Sequence, residues 1–526
     1  MLLFFWRNPE FIRHRRAELR RSRALTVLVI VAIVCLLIGL ACWTQVQHDL
    51  EISRRGNADF GRPSLTELQR LEQRAPTDFW QLFYHVLTYG QVLVLTFWTL
   101  FSCAQGISGE RERKTWDFQR TTRLRPSELL IGKLLGGPIL AYFIVICSLP
   151  ITLLAGLCGE VDLLAIAYAV TLIFASALFV GVVGLWISNL FESQSRGLGV
   201  LGALGLIAVM TTSSSLQRSN FPGFAALNPI TGLIPWAEGT ETMYGIGSAA
   251  LFGRPVPWVF ASLFLYVTFG AWFALMLLRN LKKDHEELHL LSRWQVVGCA
   301  GFLNFVFYAL FSQKPWVELK AADFANMMVF LNALILLATG MATLTPHERL
   351  KVWWRQWHGK PAGWFAEDGL MWPWLVISAA VAYGLMVWGL FAWRHTLGYD
   401  KTVFQSAVVQ LFAVLVFVIR DVLFVQWCKL TRMRAPLVKG VLFVGLYYGA
   451  AATLALMFTL RSEGAMHRFV NLATPVGVFD DNLSGFRFPA TVFLGVAFQL
   501  VVIIYELVAI NRQLARPAVI STNLAG

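Results

Sequence analysis

The run from Ala24 to Trp43 contains no charged side chain, and runs like it recur down the whole chain. A hydrocarbon core of about 30 Å takes roughly 20 apolar residues to cross as a helix. Inside it every backbone N–H and C=O must be bonded within the segment, which leaves helices or closed barrels. Continuous apolar runs without period-2 alternation select the helix. Residues 24–43, 83–106, 134–157, 163–189, 198–215 and 256–278 read as spans one to six. Residues 297–313, 323–343, 372–393, 403–425, 438–460 and 488–510 read as seven to twelve. The first run is too long for the apolar part of a cleaved signal and is read as a transmembrane helix.

The chain is 57% hydrophobic and 14% charged, against about a quarter charged in soluble domains. A soluble enzyme is excluded on that balance. The net charge of +13 is not a nucleic-acid footprint, because Lys and Arg gather in alternate loops, as they do on the cytoplasmic side of membrane proteins. Both termini are then expected in the cytoplasm. The seven cysteines lie in or beside apolar runs, form no C-x-x-C pair, and read as small core residues.

Between spans two and three, Gly106 to Leu135 packs seven Lys/Arg and four Asp/Glu into water. Before span one, Asn8-Pro9-Glu10 has the form of a helix start, with a cap, a proline at the first turn and an acid. Phe5, Ile12 and Leu19 make an apolar stripe among arginines, so residues 9–23 are expected to form an interfacial amphipathic helix. Residues 45–80 read as a polar outer segment. Residues 216–255 are too polar to span and too apolar for a plain loop, and are expected to re-enter the membrane from outside.

Two local similarities relate the halves. Glu112-Arg113-Lys114-Thr115-Trp116 corresponds to Glu348-Arg349-Leu350-Lys351-Val352-Trp353, with one residue inserted. Leu227-Asn228-Pro229-Ile230-Thr231-Gly232 corresponds to Ala473-Thr474-Pro475-Val476-Gly477. The expected architecture is an all-α integral membrane protein of about twelve helices, in two parallel six-helix halves. These are residues 1–288, with a cytoplasmic segment 108–133, and 289–526, with a cytoplasmic segment 344–371 and an outer loop 461–487.

The run Gly109-Glu110-Arg111-Glu112-Arg113-Lys114, followed by Thr121-Thr122-x-Leu124, Pro126, Glu128-Leu129-Leu130 and Gly132-Lys133, resembles the first cytoplasmic segment of type-2 ABC exporter permeases. In the second half the signature is degraded, with Thr345-Pro346-His347 standing where the first has Gly109-Glu110-Arg111. The resemblance implies export across a bacterial inner membrane, driven by ATP and Mg bound to a separate ATP-binding subunit, in two copies. The pore would lie between the halves of one chain or between two copies of it. The chain itself carries no G-x-x-x-x-G-K-[ST] phosphate loop, and no cofactor of its own is expected.

On this resemblance Glu110, Arg111, Glu112, Arg113 and Lys114 set the register of a docking helix over 109–118. Trp116 and Phe118 are its buried anchors, Arg and Trp being the side chains that most often carry binding energy. Glu348, Arg349, Lys351 and Trp353 would do the same in the second half, and Asn228, Pro229, Thr474 and Pro475 would form an outer gate. His85, Arg420-Asp421 and Glu506 lie in spans and read as interfacial or paired rather than as an ion pathway. The scarcity of charge within spans points to an apolar or amphiphilic substrate. A non-transporting scaffold, a secondary transporter and a membrane transferase are the alternative readings, and no span carries the carboxylate or histidine chain that a proton relay needs.

Overall fold

A computed structural model describes residues 8–55, 65–121, 123–190, 222–231, 233, 248–252, 254–282, 291–311, 320–357, 360–397, 401–431, 439–440, 442–450, 453 and 490–515. Among them nine helices are long and apolar enough to cross a membrane. The protein is a multi-pass integral membrane protein. Two compact units divide the chain, Met1–His285 with Leu310–Ser312, and Glu286–Ala309 with Gln313–Gly526.

In the first unit α1 runs Pro9–Glu18, capped by Asn8, whose side chain accepts from the N–H groups of Glu10 and Phe11. The chain breaks at Leu19, and α2 begins at Arg21 and continues to Arg55. The arginines at 21 and 23 therefore belong to the first spanning helix rather than to the interfacial one. The expected outer segment 45–80 is also largely helical. Helix α2 continues through 44–55, and α3 runs Leu65–Ala104 through Pro76. Polarity alone hid this, because a helix that projects into water needs no apolar stripe.

Short helices α4 (Ser108–Glu112) and α5 (Trp116–Thr121) precede α6 (Pro126–Gly136), α7 (Ile139–Cys158) and α8 (Leu163–Leu190). Residues 222–227 form a 3-10 turn, and Asn228 follows it, buried, with its side chain accepting from the N–H of Ile230. Leu233 then packs among Val92, Leu95, Val145 and Ile173, residues well inside three spanning helices. Turn bonds from the N–H groups of Asn228, Thr231 and Leu233 to the carbonyls of Ala225, Asn228 and Ile230 hold the backbone there. A two-stranded hairpin, β1 (Ser248–Leu251) and β2 (Arg254–Pro257), departs from the all-α expectation. Its tight connection requires positive φ, and Phe252 supplies φ 51. Helix α9 (Trp258–Asn280) closes the unit.

Helix α10 (Arg293–Leu310) lies where a seventh span was expected, but Arg293, Gln295 and Asn304 dilute its apolar character. The second unit continues with α11 (Ala321–Ala342), α12 (His347–Trp357), a 3-10 turn Pro361–Phe365, α13 (Trp372–Ala392), α14 (Arg394–Leu397), α15 (Lys401–Leu430) and α16 (Ala490–Ala515). Span five (198–215), residues 438, 441, 451–452 and 454–460 of span eleven (438–460), the loop 461–487, and with it Thr474 and Pro475, lie outside the described residues.

Candidate functional site

Helix α3 ends at Ala104, and the chain turns at once into the short helix α4. The first N–H groups of the next helix have no partner within it. Ser188, near the end of α8, supplies one: its Oγ accepts from the N–H of Ile107 at 3.0 Å and of Ser108 at 2.9 Å. The adjacent Asn189 accepts two bonds from Arg111, both 3.0 Å, through its backbone oxygen and its Oδ1.

Helix α4 stops after Glu112 because Lys114 adopts φ 58. The N–H of Lys114 bonds Arg111 O, and that of Thr115 bonds Glu110 O. This is the reciprocal pair of a left-handed helix C-terminus, a position usually held by glycine. The continuous docking helix expected over 109–118 is therefore two short helices around a sharp turn.

That turn points Trp116 inward. Its ring is 3% exposed and packs with Ile107, Leu129, Leu185 and Leu277. Lys133 Nζ and the Arg111 guanidinium stand 5.3 Å and 5.8 Å from its centre, within cation–π range. Phe118 is its opposite, 76% exposed.

Glu110 also faces inward. One oxygen accepts from Arg13 of α1 at 2.7 Å and from Gln119 at 2.9 Å, and the other accepts from Lys133. Lys133, 3% exposed, also donates to Gly106 O at 3.1 Å and lies 3.7 Å from Glu10. Arg13 in turn bridges Glu10 and Glu110. Burial alone would raise the Glu10 carboxyl, but the His14 ring and the charges of Lys133 and Arg13 outweigh it and hold the group below its ordinary value of 4.5. Two acids and two bases thus knot α1, α4 and α6 together.

Close approach of α1 to α6 depends on two glycines one turn apart. A Cβ on Gly132 would stand 2.7 Å from Glu10 Cβ, and one on Gly136 would stand 2.9 Å from His14 Cδ2. Asn8 Nδ2 adds a bond to Glu128 O at 2.6 Å. Of the residues expected to meet a partner, Glu110, Arg111 and Trp116 are engaged within the unit. Glu112, Arg113 and Lys114 face water, as do Asp117 and Phe118.

The second unit repeats the frame with other chemistry. Gln426 of α15 accepts from the N–H of Thr345 at 3.1 Å and donates to its carbonyl at 3.0 Å. This brace joins residues 81 apart, as the Ser188–Ile107 brace does. Ile107 and Thr345, like Ser188 and Gln426, stand 238 residues apart, as do Ala104 and Ala342, the ends of α3 and α11.

The frame corrects the sequence register. Gly109-Glu110-Arg111 falls on His347-Glu348-Arg349, not on Thr345-Pro346-His347. Lys133 falls on Met371, so no lysine stands there to draw Glu348 inward, and Glu348 is exposed. Arg349 pairs with Asp368 at 3.6 Å. Lys351 is half-buried, and Trp353 donates from Nε1 to Gly363 O at 2.7 Å. No left-handed residue interrupts α12, which runs unbroken to Trp357.

Here a single buried side chain, Arg293, holds the segment. Its guanidinium donates to Glu367 O, Thr343 O, Gly369 O, Thr345 Oγ1 and Met371 Sδ, at 2.6–3.0 Å. Lys429 donates to Leu344 O at 3.1 Å, which matches the bond from Lys133 to Gly106 O, since Leu344 and Gly106 are aligned.

Residues 10–241 match the family model described as ABC-2 type transporter. This stretch is similar to the membrane domains of ABC-2 type transporters. Such domains are the membrane-embedded components of ABC transporters. The match takes in α1, the charged knot and the buried turn at Asn228, and it ends before the second unit. Neither the curated proteins nor the solved structures give a match to the chain.

Sequence reasoning missed the inner half of the site: Glu10, Arg13, Lys133, Ser188 and Asn189 in the first unit, and Arg293, Gln426 and Lys429 in the second. Only the Gly132-x-x-x-Gly136 spacing carried a signal, since small residues at that interval let helices approach.

Proposed function

We propose that the protein is the permease subunit of an ABC-type exporter in a bacterial inner membrane, with both termini in the cytoplasm. It would move an amphiphilic or apolar substrate with ATP and Mg held on a separate ATP-binding subunit, in two copies. The reading keeps about twelve spans in two parallel halves, with Asn228-Pro229 at the outer gate. The observation that carries it is the shape of the segment after α3. An inward-facing base of Glu110, Arg111 and Trp116 presents Glu112, Arg113, Lys114 and Phe118 to water at the foot of three spanning helices. Exposed charges set the register of a partner, and an exposed aromatic supplies a centre of affinity.

The test is the double reversal Glu112→Arg with Arg113→Glu, read by co-purification with the cognate ATP-binding subunit and by ATP hydrolysis in reconstituted membranes. Loss of the complex, with the permease itself folded, is the expected result. Unchanged association together with unchanged hydrolysis refutes the docking role.

A further inference from the structure

Charge inside the spans is scarce, but the second unit buries a pair of charges. Arg420 and Asp421 of α15 are both enclosed, with Asp421 4% exposed. Arg420 donates from Nε and Nη2 to Asp421 Oδ1 at 2.9 and 2.6 Å, from Nη1 to Gln499 Oε1 at 2.8 Å, and from Nη2 to the Tyr448 hydroxyl at 3.1 Å. Its plane lies over Phe417 and Tyr447. The pair is thus buried and paired, as the sequence reading allowed. A buried ion pair contributes little to stability unless its hydrogen bonds are saturated, and a charge at membrane depth is a functional candidate by default.

Beside this pair is a cavity of about 640 Å³ between α11 and α15. Small-ligand sites span about 300–1,000 Å³. Apart from Asp421 and Tyr448, its lining is apolar, including Phe330, Ala333, Leu334 and Phe417. Phe330 and Leu334 are half-exposed on the outer surface of α11, so the cavity reaches the face that lipid chains touch.

The polar end of the cavity has a definite sense. The Arg420 donors are directed at Asp421, Gln499 and the two tyrosines. Tyr448 donates its proton to Asp421 Oδ2 at 2.6 Å. A carboxylate oxygen has room for two bonds, and Oδ2 takes this one. The unused hydrogen-bonding capacity at the cavity wall, the second lone pair of Asp421 Oδ2, is therefore that of an acceptor.

We propose that this cavity binds the alkyl chain of a membrane-borne amphiphile whose polar end is a hydrogen-bond donor, a hydroxyl or an amine, placed against Asp421 and Tyr448. Carboxylate- and phosphate-ended chains are rejected, because they would bring a second anion to Asp421. The site belongs to the second unit alone and needs no ATP-binding subunit, so its failure leaves the export reading standing and the reverse holds too.

The test uses the full chain in lipid nanodiscs and a long-chain primary alcohol bearing a diazirine, with labelled peptides located by mass spectrometry. The label is expected on α11 and α15. A fatty amine should compete at least tenfold better than the fatty acid of equal length. Ala333→Trp, which fills the cavity, should cut labelling by at least tenfold. Asp421→Asn should remove most of the preference for amine over acid; if that variant does not fold, the competition series on the native chain decides. Equal competition by the acid, or labelling unchanged in Ala333→Trp, overturns the proposal.

Discussion

After α3 the chain is held by a knot of four ionised side chains drawn from three helices. After α11 the aligned stretch is held by one arginine that grips backbone carbonyls. The two share a brace from the fourth long helix of each unit, at the same spacing, and differ at the position filled by Lys133 in one and Met371 in the other. With a lysine there, Glu110 turns inward and Trp116 follows it beneath two cations. With a methionine there, Glu348 stays in water and α12 runs on unbroken. The difference teaches that the exposed surface of each segment is selected from within, by one residue more than twenty positions downstream of the acidic residue it controls. It also separates two mechanical characters. Paired charges can be rearranged by an approaching charged surface, whereas a guanidinium bonded to four oxygens and a sulfur sets a fixed platform.

The largest effect should come from the fixed platform. Arg293→Ala strands several buried carbonyls and should cost about 3–5 kcal/mol, seen as lost expression or a strongly lowered unfolding temperature. Arg293→Lys should rescue little, because an ammonium cannot reproduce the planar fork. If lysine restores stability in full, the platform is not built on that geometry.

Next comes Lys133→Met, which gives the first unit the residue of the second. It leaves Glu10 and Glu110 with only the half-exposed Arg13 between them and should cost about 2–4 kcal/mol. Adding Glu110→Gln should return part of that loss in a double-mutant cycle. Strict additivity would mean that the two residues are not coupled.

A smaller loss, about 1–3 kcal/mol, is expected of Gly132→Ala, because its new methyl meets Glu10. Tryptic cleavage among the arginines of residues 13–23 should accelerate as α1 lifts from α6. Cleavage at the native rate would show that the docking tolerates a side chain there. The smallest effect belongs to Arg349→Ala, a part-exposed ion pair worth under about 1 kcal/mol. A shift of several degrees in its unfolding temperature would erase the distinction drawn between the segments.

Much of the fold could be read from the residues. Uncharged runs marked the spanning helices, and Asn8-Pro9-Glu10 marked the start of α1. The projecting ends of α2 and α3 could not be read that way, because helix in water is set by propensity without a buried face. At the site, the charged block was visible, but which charges face inward was not. Glu110 and Glu112 are chemically identical and two residues apart; Lys133, Arg13 and Gln119, brought near by the fold, tell them apart. The register of the second segment went wrong for a related reason. Aligning Trp116 with Trp353 rewarded a shared residue type, while the backbone braces at Ile107 and Thr345 tie together residues of unlike chemistry.

Helix α3 has 40 residues, about 60 Å at ~1.5 Å per residue, roughly twice the hydrocarbon thickness. One end leads directly into Gly106, the carbonyl that Lys133 grips. Near the other, Glu72 accepts from Arg54 of α2 at 2.6 Å. Whatever tilts this rod at its gripped end swings its far end through a wider arc, so the hairpin of α2 and α3 is a lever arm.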